Sequence, residues 1–109
     1  LAVLRGNRAL EAGVNHFDTA PLYGNGASEE NLGRVLDALK PNVIVSTKVR
    51  LPAGRNIAAI AASIAASLET SLKRLKRDRV DLFQLHNAIG QVFAIFVIVL
   101  LPLKRLSHW

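Results

Sequence analysis

Helix-like and strand-like segments alternate along this chain of 109 residues, and no other feature limits its possible folds as strongly. The strand-like segments, which are short and apolar, cover residues 14–18, 43–48 and 80–86, and the helix-like segments cover residues 1–12, 29–40 and 57–75. Helices of this length between strands act as crossover connections, which are right-handed and join parallel strands. The sequence therefore predicts an α/β fold with a parallel sheet.

Apolar residues recur at helical spacing in the second and third helix-like segments. In the second segment the stripe consists of Leu32, Val35, Leu36 and Leu39. The third segment is the longest periodic one, and its stripe consists of Ile57, Ile60, Ile64, Leu68, Leu72 and Leu75. This spacing places each set on one face of a helix, so both stripes are predicted to be buried.

Residues near the helix ends fit this interpretation. Gly13 follows the first helix, where glycine readily adopts the left-handed conformation that ends a helix. Ser28 is placed to cap the second helix, with Glu29 in its first turn, where a carboxylate interacts favourably with the helix dipole. Gly24 and Gly26, in the preceding loop, are predicted to be turn residues, since the chain lacks a glycine-rich phosphate loop between a strand and a helix.

Polar residues, namely Asp18, Lys48 and His86, lie at the ends of the predicted strands. The carboxyl ends of parallel strands meet at one edge of a sheet, so these side chains are expected to lie close together. Both an open α/β sheet and a barrel bind ligands at that edge. Polar residues at successive strand ends are typical of the top face of a (β/α)8 barrel, so the barrel is favoured over the open sheet.

Side chains alternate between the two faces of each strand. If the strand-end residues share one face, the residues two positions before them share it too, and these are His16, Ser46 and Gln84. The residues in between, Phe17, Thr47 and Leu85, then lie on the opposite face. The sequence thus predicts one face that is polar below the strand ends and another that packs on helices. His16 and His108 are assigned structural roles only.

The segment 15–30, together with the helix that follows it, contains the most specific pattern in the chain. Its parts are Phe17-Asp18-Thr19-Ala20, Tyr23-Gly24, Ser28-Glu29 and Leu32-Gly33. In residue type and spacing this pattern resembles the signature of the aldo-keto reductases. The resemblance implies that residues 1–90 are the N-terminal portion of a (β/α)8 TIM barrel, with alternating helices and parallel strands, and that the barrel is incomplete in this chain.

The catalytic tetrad of that family is matched by Asp18, Tyr23, Lys48 and His86. The resemblance implies that Tyr23 is the general acid and base, assisted by the ammonium of Lys48, which favours the phenolate. Asp18 would keep that ammonium charged and would contact the nicotinamide end of the cofactor. His86 and Tyr23 would bind the substrate carbonyl. Each residue alone also fits a common structural role, such as a turn former or a core histidine, but together they favour catalysis.

Family membership implies an NAD(P)-dependent oxidoreductase that acts on carbonyl or alcohol groups of aldehydes, ketones or sugars. NADP is the expected cofactor, NAD is an alternative, and the cytoplasm is the expected location. The isolated chain is expected to be inactive, because most of the cofactor site would lie in the later part of a barrel. Two other interpretations stay open: a noncatalytic barrel-like subunit that binds cofactor or regulates, and a small basic interaction module.

The chain carries a net charge of +6, from 14 Lys and Arg against 8 Asp and Glu, and much of the excess lies in residues 73–79. That cluster has no aromatic residues to stack on bases, and cations at the end of a helix stabilise its dipole. A small-molecule substrate is therefore expected, and a nucleic-acid partner is not. Cysteine is absent, which excludes disulfides and thiolate metal ligands, and no metal site is predicted.

The pattern changes after residue 90. Residues 92–101 are uniformly apolar, but a helix of that length would fall well short of a bilayer core of about 30 Å, so no membrane span is predicted. The segment 91–109 is interpreted as an apolar and basic tail of uncertain origin. The chain starts with Leu and lacks Met, so we expect it to be a piece of a longer protein.

Overall fold

The computed structural model describes residues 1–52, 54 and 56–86, in which helices and strands alternate as predicted. The elements are α1 (Ala2–Glu11), β1 (His16–Asp18), α2 (Ala27–Leu39), β2 (Ile44–Val49), α3 (Ile57–Leu75) and β3 (Leu82–Leu85). A short 3-10 turn, Tyr23–Gly26, lies between β1 and α2. The predicted tail, residues 91–109, lies outside the described residues. None of the helices in the described part of the chain is long and apolar enough to cross a membrane.

The strands form one parallel sheet with the order β1-β2-β3. Asp18 of β1 is in register with Ser46 of β2, and Lys48 of β2 is in register with Gln84 of β3. Each strand therefore pairs with its neighbour in sequence, and all carboxyl ends lie at the same edge. The parallel sheet is confirmed, although β1 and β3 are shorter than predicted and β2 is shifted by one residue.

An apolar cluster fills the space between the sheet and α3. Its members are Leu36, Val45, Val49, Ile64, Leu68, Leu72, Leu75, Val80 and Phe83. The predicted stripe of α3 is confirmed from Ile64 onwards, and Ile60 packs against the margin of the cluster. The prediction for Ile57 is wrong, because this residue opens the helix outside the cluster and is 74% exposed.

The start of α2 differs from the sequence-based prediction. Gly26, not Ser28, occupies the position before the helix, and its left-handed backbone, with φ of 95°, lets the helix begin at Ala27. Ser28 therefore lies inside the first turn and makes no capping bond. Its hydroxyl is 2.6 Å from that of Thr19, the residue that follows β1. By contrast, α3 has a side-chain cap, because Asn56 accepts a hydrogen bond from the backbone of Ala59 at 3.1 Å.

A partly buried ion pair, with a fully buried carboxylate, connects α2, β2 and α3. Glu29 is fully buried, although its position in the first turn of α2 predicted only an interaction with the helix dipole. Its Oε1 accepts a hydrogen bond from Arg74 Nη1 at 3.1 Å, and its Oε2 accepts one from Thr47 Oγ1 at 2.7 Å. Arg74, in the basic last turn of α3, thus neutralises the carboxylate of Glu29 in the core. Close approach of the two helices also depends on Gly33, where any side chain would collide with the backbone carbonyl of Arg74.

We expect Arg74→Met to lower the free energy of unfolding by about 3 kcal/mol, because it leaves the buried carboxylate of Glu29 without a cation. Urea denaturation followed by circular dichroism measures the loss. A second change, Glu29→Gln, made in the same chain should recover part of it, since the uncompensated charge is then removed.

The matched control for this prediction is Arg34→Met. Arg34 lies on the exposed side of α2, where its guanidinium donates a hydrogen bond to Asn31 at 2.6 Å. Its replacement should change the free energy of unfolding by no more than about 0.5 kcal/mol. Equal losses in the two arginine variants would contradict a stabilising role of the pair between Glu29 and Arg74.

Candidate active site

An ion pair between neighbouring strands lies at the carboxyl edge of the sheet. Asp18 is the last residue of β1, and Lys48 is the last but one of β2. The ammonium of Lys48 donates hydrogen bonds to both carboxylate oxygens of Asp18, each at 3.0 Å, and to the carbonyl oxygen of Thr19 at 2.9 Å. Its side chain is only 14% exposed, against 51% for Asp18. The largely buried ammonium is therefore compensated by acceptors on β1 and the residue after it.

Tyr23 lies beside this ion pair, in the turn between β1 and α2. The nitrogen of Lys48 is 5.1 Å from the centroid of the Tyr23 ring. The ring of His86 contacts the ring of Tyr23 in an edge-to-face arrangement, with the two centroids 5.7 Å apart and the two planes at 72°. Tyr23 itself is 43% exposed. The structure thus brings all four residues of the predicted tetrad into one cluster that opens to solvent.

His86 enters the cluster from the third strand, which it follows directly. Its backbone nitrogen donates a hydrogen bond to the carbonyl oxygen of Val49 at 2.9 Å, and this bond extends the pairing of β2 with β3. The Nδ1 atom of its ring is buried and has no hydrogen-bond partner among the described residues. This nitrogen is free to bond to a group that the described chain does not supply.

The turn that carries Tyr23 depends on left-handed backbone. Gly24, Asn25 and Gly26 have φ values of 61°, 51° and 95°, respectively. Glycine tolerates this conformation and asparagine does so better than most other residues. The prediction of turn glycines at positions 24 and 26 is confirmed, and the turn reverses the chain between the tyrosine and α2.

Below the ion pair, further polar residues line the same face of the sheet. Ser46 Oγ donates a hydrogen bond to Asp18 Oδ1 at 2.7 Å and is 2.9 Å from His16 Nε2. Thr47, between Ser46 and Lys48, lies on the opposite face, where it bonds to Glu29. The predicted alternation is therefore confirmed in β2. The sequence-based interpretation missed the link of His16 to the site, although the alternation itself placed it on the correct face.

The surroundings of Asp18 act on its ionisation in opposite directions. Partial burial by itself raises the pKa of the Asp18 carboxyl, since it disfavours the charged form. The hydrogen bonds from Ser46 and Lys48 and the positive charge of Lys48 outweigh burial, so that the pKa lies below its ordinary value. Asp18 is therefore held as the carboxylate that Lys48 needs.

The arrangement and the sequence match a known family. A model of the aldo/keto reductase family matches residues 3–95. The chain belongs to this family. The Asp, Lys and His at the strand ends and the tyrosine in the loop therefore belong to an aldo-keto reductase sequence.

Individual aldo-keto reductases resemble the chain in sequence and in fold. YhdN of Bacillus subtilis (strain 168) is 41% identical over 83 residues, which make up 72% of this chain and 25% of that protein. The holo form of AKR11C1 from Bacillus halodurans has a TM-score of 0.68 and 31% identity, over 84% of this chain and 33% of that one. An aldo-keto reductase from Klebsiella pneumoniae in complex with NADPH has a TM-score of 0.64 and 32% identity, over 84% of this chain and 29% of that one.

The chain therefore spans about a quarter to a third of the length of the aldo-keto reductases that it matches. Those structures are (β/α)8 barrels, and the parallel strands described here correspond to a part of such a barrel. The predicted fold class, an incomplete (β/α)8 barrel of alternating helices and parallel strands, is confirmed.

We expect Asp18→Asn to weaken the loss of stability in acid. A carboxyl whose pKa is lower in the folded than in the unfolded state stabilises the fold above its unfolded pKa, and this contribution disappears as the pH falls through its folded pKa. The amide cannot undergo this change. The free energy of unfolding should therefore fall less between about pH 6 and about pH 2 in the variant than in the wild type, as measured by urea denaturation across that range.

At neutral pH the same variant should be less stable than the wild type, because Lys48 then lacks its anionic partner. Circular dichroism at neutral pH checks that the variant is folded. An identical pH dependence in the two proteins would show that Asp18 does not titrate below its ordinary range.

Proposed function

We propose that this chain carries the catalytic tetrad of a nicotinamide-dependent oxidoreductase that interconverts carbonyl compounds and alcohols. The observation that supports this best is the position of Tyr23, whose ring lies 5.1 Å from the ammonium of Lys48 and touches the ring of His86. A phenol, an ammonium and an imidazole at one open strand edge form a proton-donating site. Aldehydes, ketones and sugars are the proposed substrates, as the family implies.

Tyr23 supplies the proton in the proposed reaction. A reduced nicotinamide, when bound, would supply the hydride that the carbonyl carbon of the substrate needs for its reduction. Negative charge then develops on the carbonyl oxygen, and Tyr23 Oη donates its proton to that atom, which yields the alcohol. The phenolate that remains is stabilised by the nearby ammonium of Lys48. In the oxidative direction the same phenolate accepts the proton of the alcohol.

Lys48 and Asp18 keep this site charged. The carboxylate of Asp18 and the carbonyl of Thr19 accept the hydrogen bonds of the largely buried ammonium of Lys48. His86 is the proposed partner of the substrate oxygen, together with Tyr23. Its ring nitrogens can donate or accept hydrogen bonds, and Nδ1 has no partner among the described residues.

The cluster fits the nicotinamide end of a cofactor. The side chain of Asp18 is half exposed, so its carboxylate can accept further hydrogen bonds, for example from a ribose hydroxyl. NADP is the proposed cofactor, with NAD as an alternative, because the related structure from Klebsiella pneumoniae contains NADPH. Residues that would hold the adenosine phosphate are not assigned in this chain.

We expect Tyr23→Phe to lower kcat by about 100-fold to 10,000-fold, the contribution of a placed general acid. Because the relatives are three to four times as long as the matched segment, the test uses a chimera in which residues 3–86 replace the matching segment of YhdN. Oxidation of NADPH with an aromatic aldehyde is followed spectrophotometrically. The chain of 109 residues, assayed alone, is expected to show no turnover.

Two lysine variants of the chimera provide a matched comparison. Lys48→Met should lower kcat strongly, because the phenolate of Tyr23 loses its neighbouring ammonium. Lys40→Met removes an exposed lysine whose ammonium is 3.7 Å from Asp37, and it should leave kcat unchanged. Full activity in the Tyr23→Phe chimera would refute the assignment of the general acid.

A further inference from the structure

Ser46 lies between two polar partners at the bottom of the candidate active site. It is fully buried in β2, two residues before Lys48 and in register with Asp18 of β1. Its hydroxyl oxygen is 2.7 Å from Asp18 Oδ1 and 2.9 Å from His16 Nε2. A hydroxyl has one proton to donate and lone pairs to accept with, so this position can satisfy both partners at once.

The direction of each bond follows from the charge of Asp18. An ionised carboxylate can only accept hydrogen bonds, so Ser46 must give its single proton to Asp18. The oxygen of Ser46 is then an acceptor towards His16, and Nε2 of His16 must carry a proton. This requirement excludes the neutral tautomer protonated at Nδ1 and leaves the Nε2–H tautomer or the imidazolium.

Two side chains of β2 donate hydrogen bonds to the carboxylate of Asp18, namely Ser46, deeper in the site, and Lys48, nearer the end of the strand. Lys48 donates to both oxygens at 3.0 Å, and Ser46 donates to a remaining lone pair of Oδ1. A rotation of the carboxylate would break the bond to Ser46 and at least one bond to Lys48. The charged or titratable groups that face this carboxylate in the described chain are Lys48 on β2 and His16 on β1 itself.

We infer that Ser46 and His16 are positioning residues of the active site. Ser46 fixes Asp18 as a carboxylate that faces Lys48, and His16 fixes Ser46 in its donating orientation. Both therefore act on Tyr23 through the ammonium of Lys48. The inference rests on the proposed function, in which Asp18 and Lys48 support the tyrosine.

The first test determines by NMR which ring nitrogen of His16 carries the proton, in the whole chain labelled with 15N. Nitrogen chemical shifts and couplings of the ring distinguish the two neutral tautomers, and His16→Gln assigns the signals among the three histidines. Above the titration of the ring, the Nε2–H tautomer alone is expected. An Nδ1–H tautomer, the tautomer mixture of a free histidine, or random-coil shifts would overturn the inference.

The second test follows the carboxyl carbon of Asp18 by NMR as the pH is lowered. Ser46→Ala should move the pKa of Asp18 upwards, because the carboxylate loses a hydrogen bond that stabilises its charge. His16→Leu should move it in the same direction, because Ser46 is then free to turn and His16 contributes no positive charge. In His16→Gln the side-chain amide retains a donor in place of Nε2, so the pKa of Asp18 should rise less than in His16→Leu.

Ser71→Ala is the matched control. Ser71 is also fully buried, and its hydroxyl has no hydrogen-bond partner among the described residues. Its removal should leave the titration of Asp18 unchanged. An unchanged titration in Ser46→Ala, or the same shift in both serine variants, would overturn the inference.

The outcomes separate this inference from the proposed function. A shifted titration in Ser46→Ala together with full activity in the Tyr23→Phe chimera would confirm that Ser46 holds the carboxylate of Asp18 and would refute the catalytic role of the tyrosine. An unchanged titration in Ser46→Ala together with a loss of activity in the Tyr23→Phe chimera would leave the tyrosine as general acid and remove Ser46 and His16 from the mechanism.

Discussion

The ion pair between Asp18 and Lys48 is the constraint around which this structure is arranged. The ammonium of Lys48, whose side chain is only 14% exposed, needs hydrogen-bond acceptors around it, and these come from the end of β1 and the residue after it. The pair therefore requires β1 and β2 to lie side by side in one register. The same ammonium lies near the ring of Tyr23, which in turn contacts His86. One interaction thus links the register of β1 and β2 to the geometry of the site.

Strand β2 contributes to two polar networks, one on each of its faces. Ser46 and Lys48 point to the open face, where they bond to Asp18, while Thr47 between them points to the helices and bonds to Glu29. The period of two in a strand makes this separation possible. A short strand with consecutive polar residues can therefore be stable inside an apolar core, because each of these polar groups finds a partner on its own side.

The sequence predicted the order of elements, the bounds of α3 and the cluster at the strand ends, since these follow from local periodicity and a specific residue pattern. Interactions between distant segments could not be predicted in the same way. The bond of Ser46 to His16 depends on the register of β1 and β2, and the pairing of Glu29 with Arg74 depends on how α2 packs on α3. Ser28 has the residue type of a helix cap, but the left-handed backbone before it moves the start of the helix.

The hydrogen bond between Thr19 and Ser28 joins the two ends of the loop that carries Tyr23. The loop is anchored at both ends, so its length sets how far the tyrosine reaches towards Lys48. Surface loops generally accept insertions and deletions at small energetic cost. This loop has less freedom, because a single added residue would displace the phenol while leaving the fold intact. The length of this loop therefore determines where the tyrosine lies, whereas the lengths of other connections need only suit the packing of the sheet.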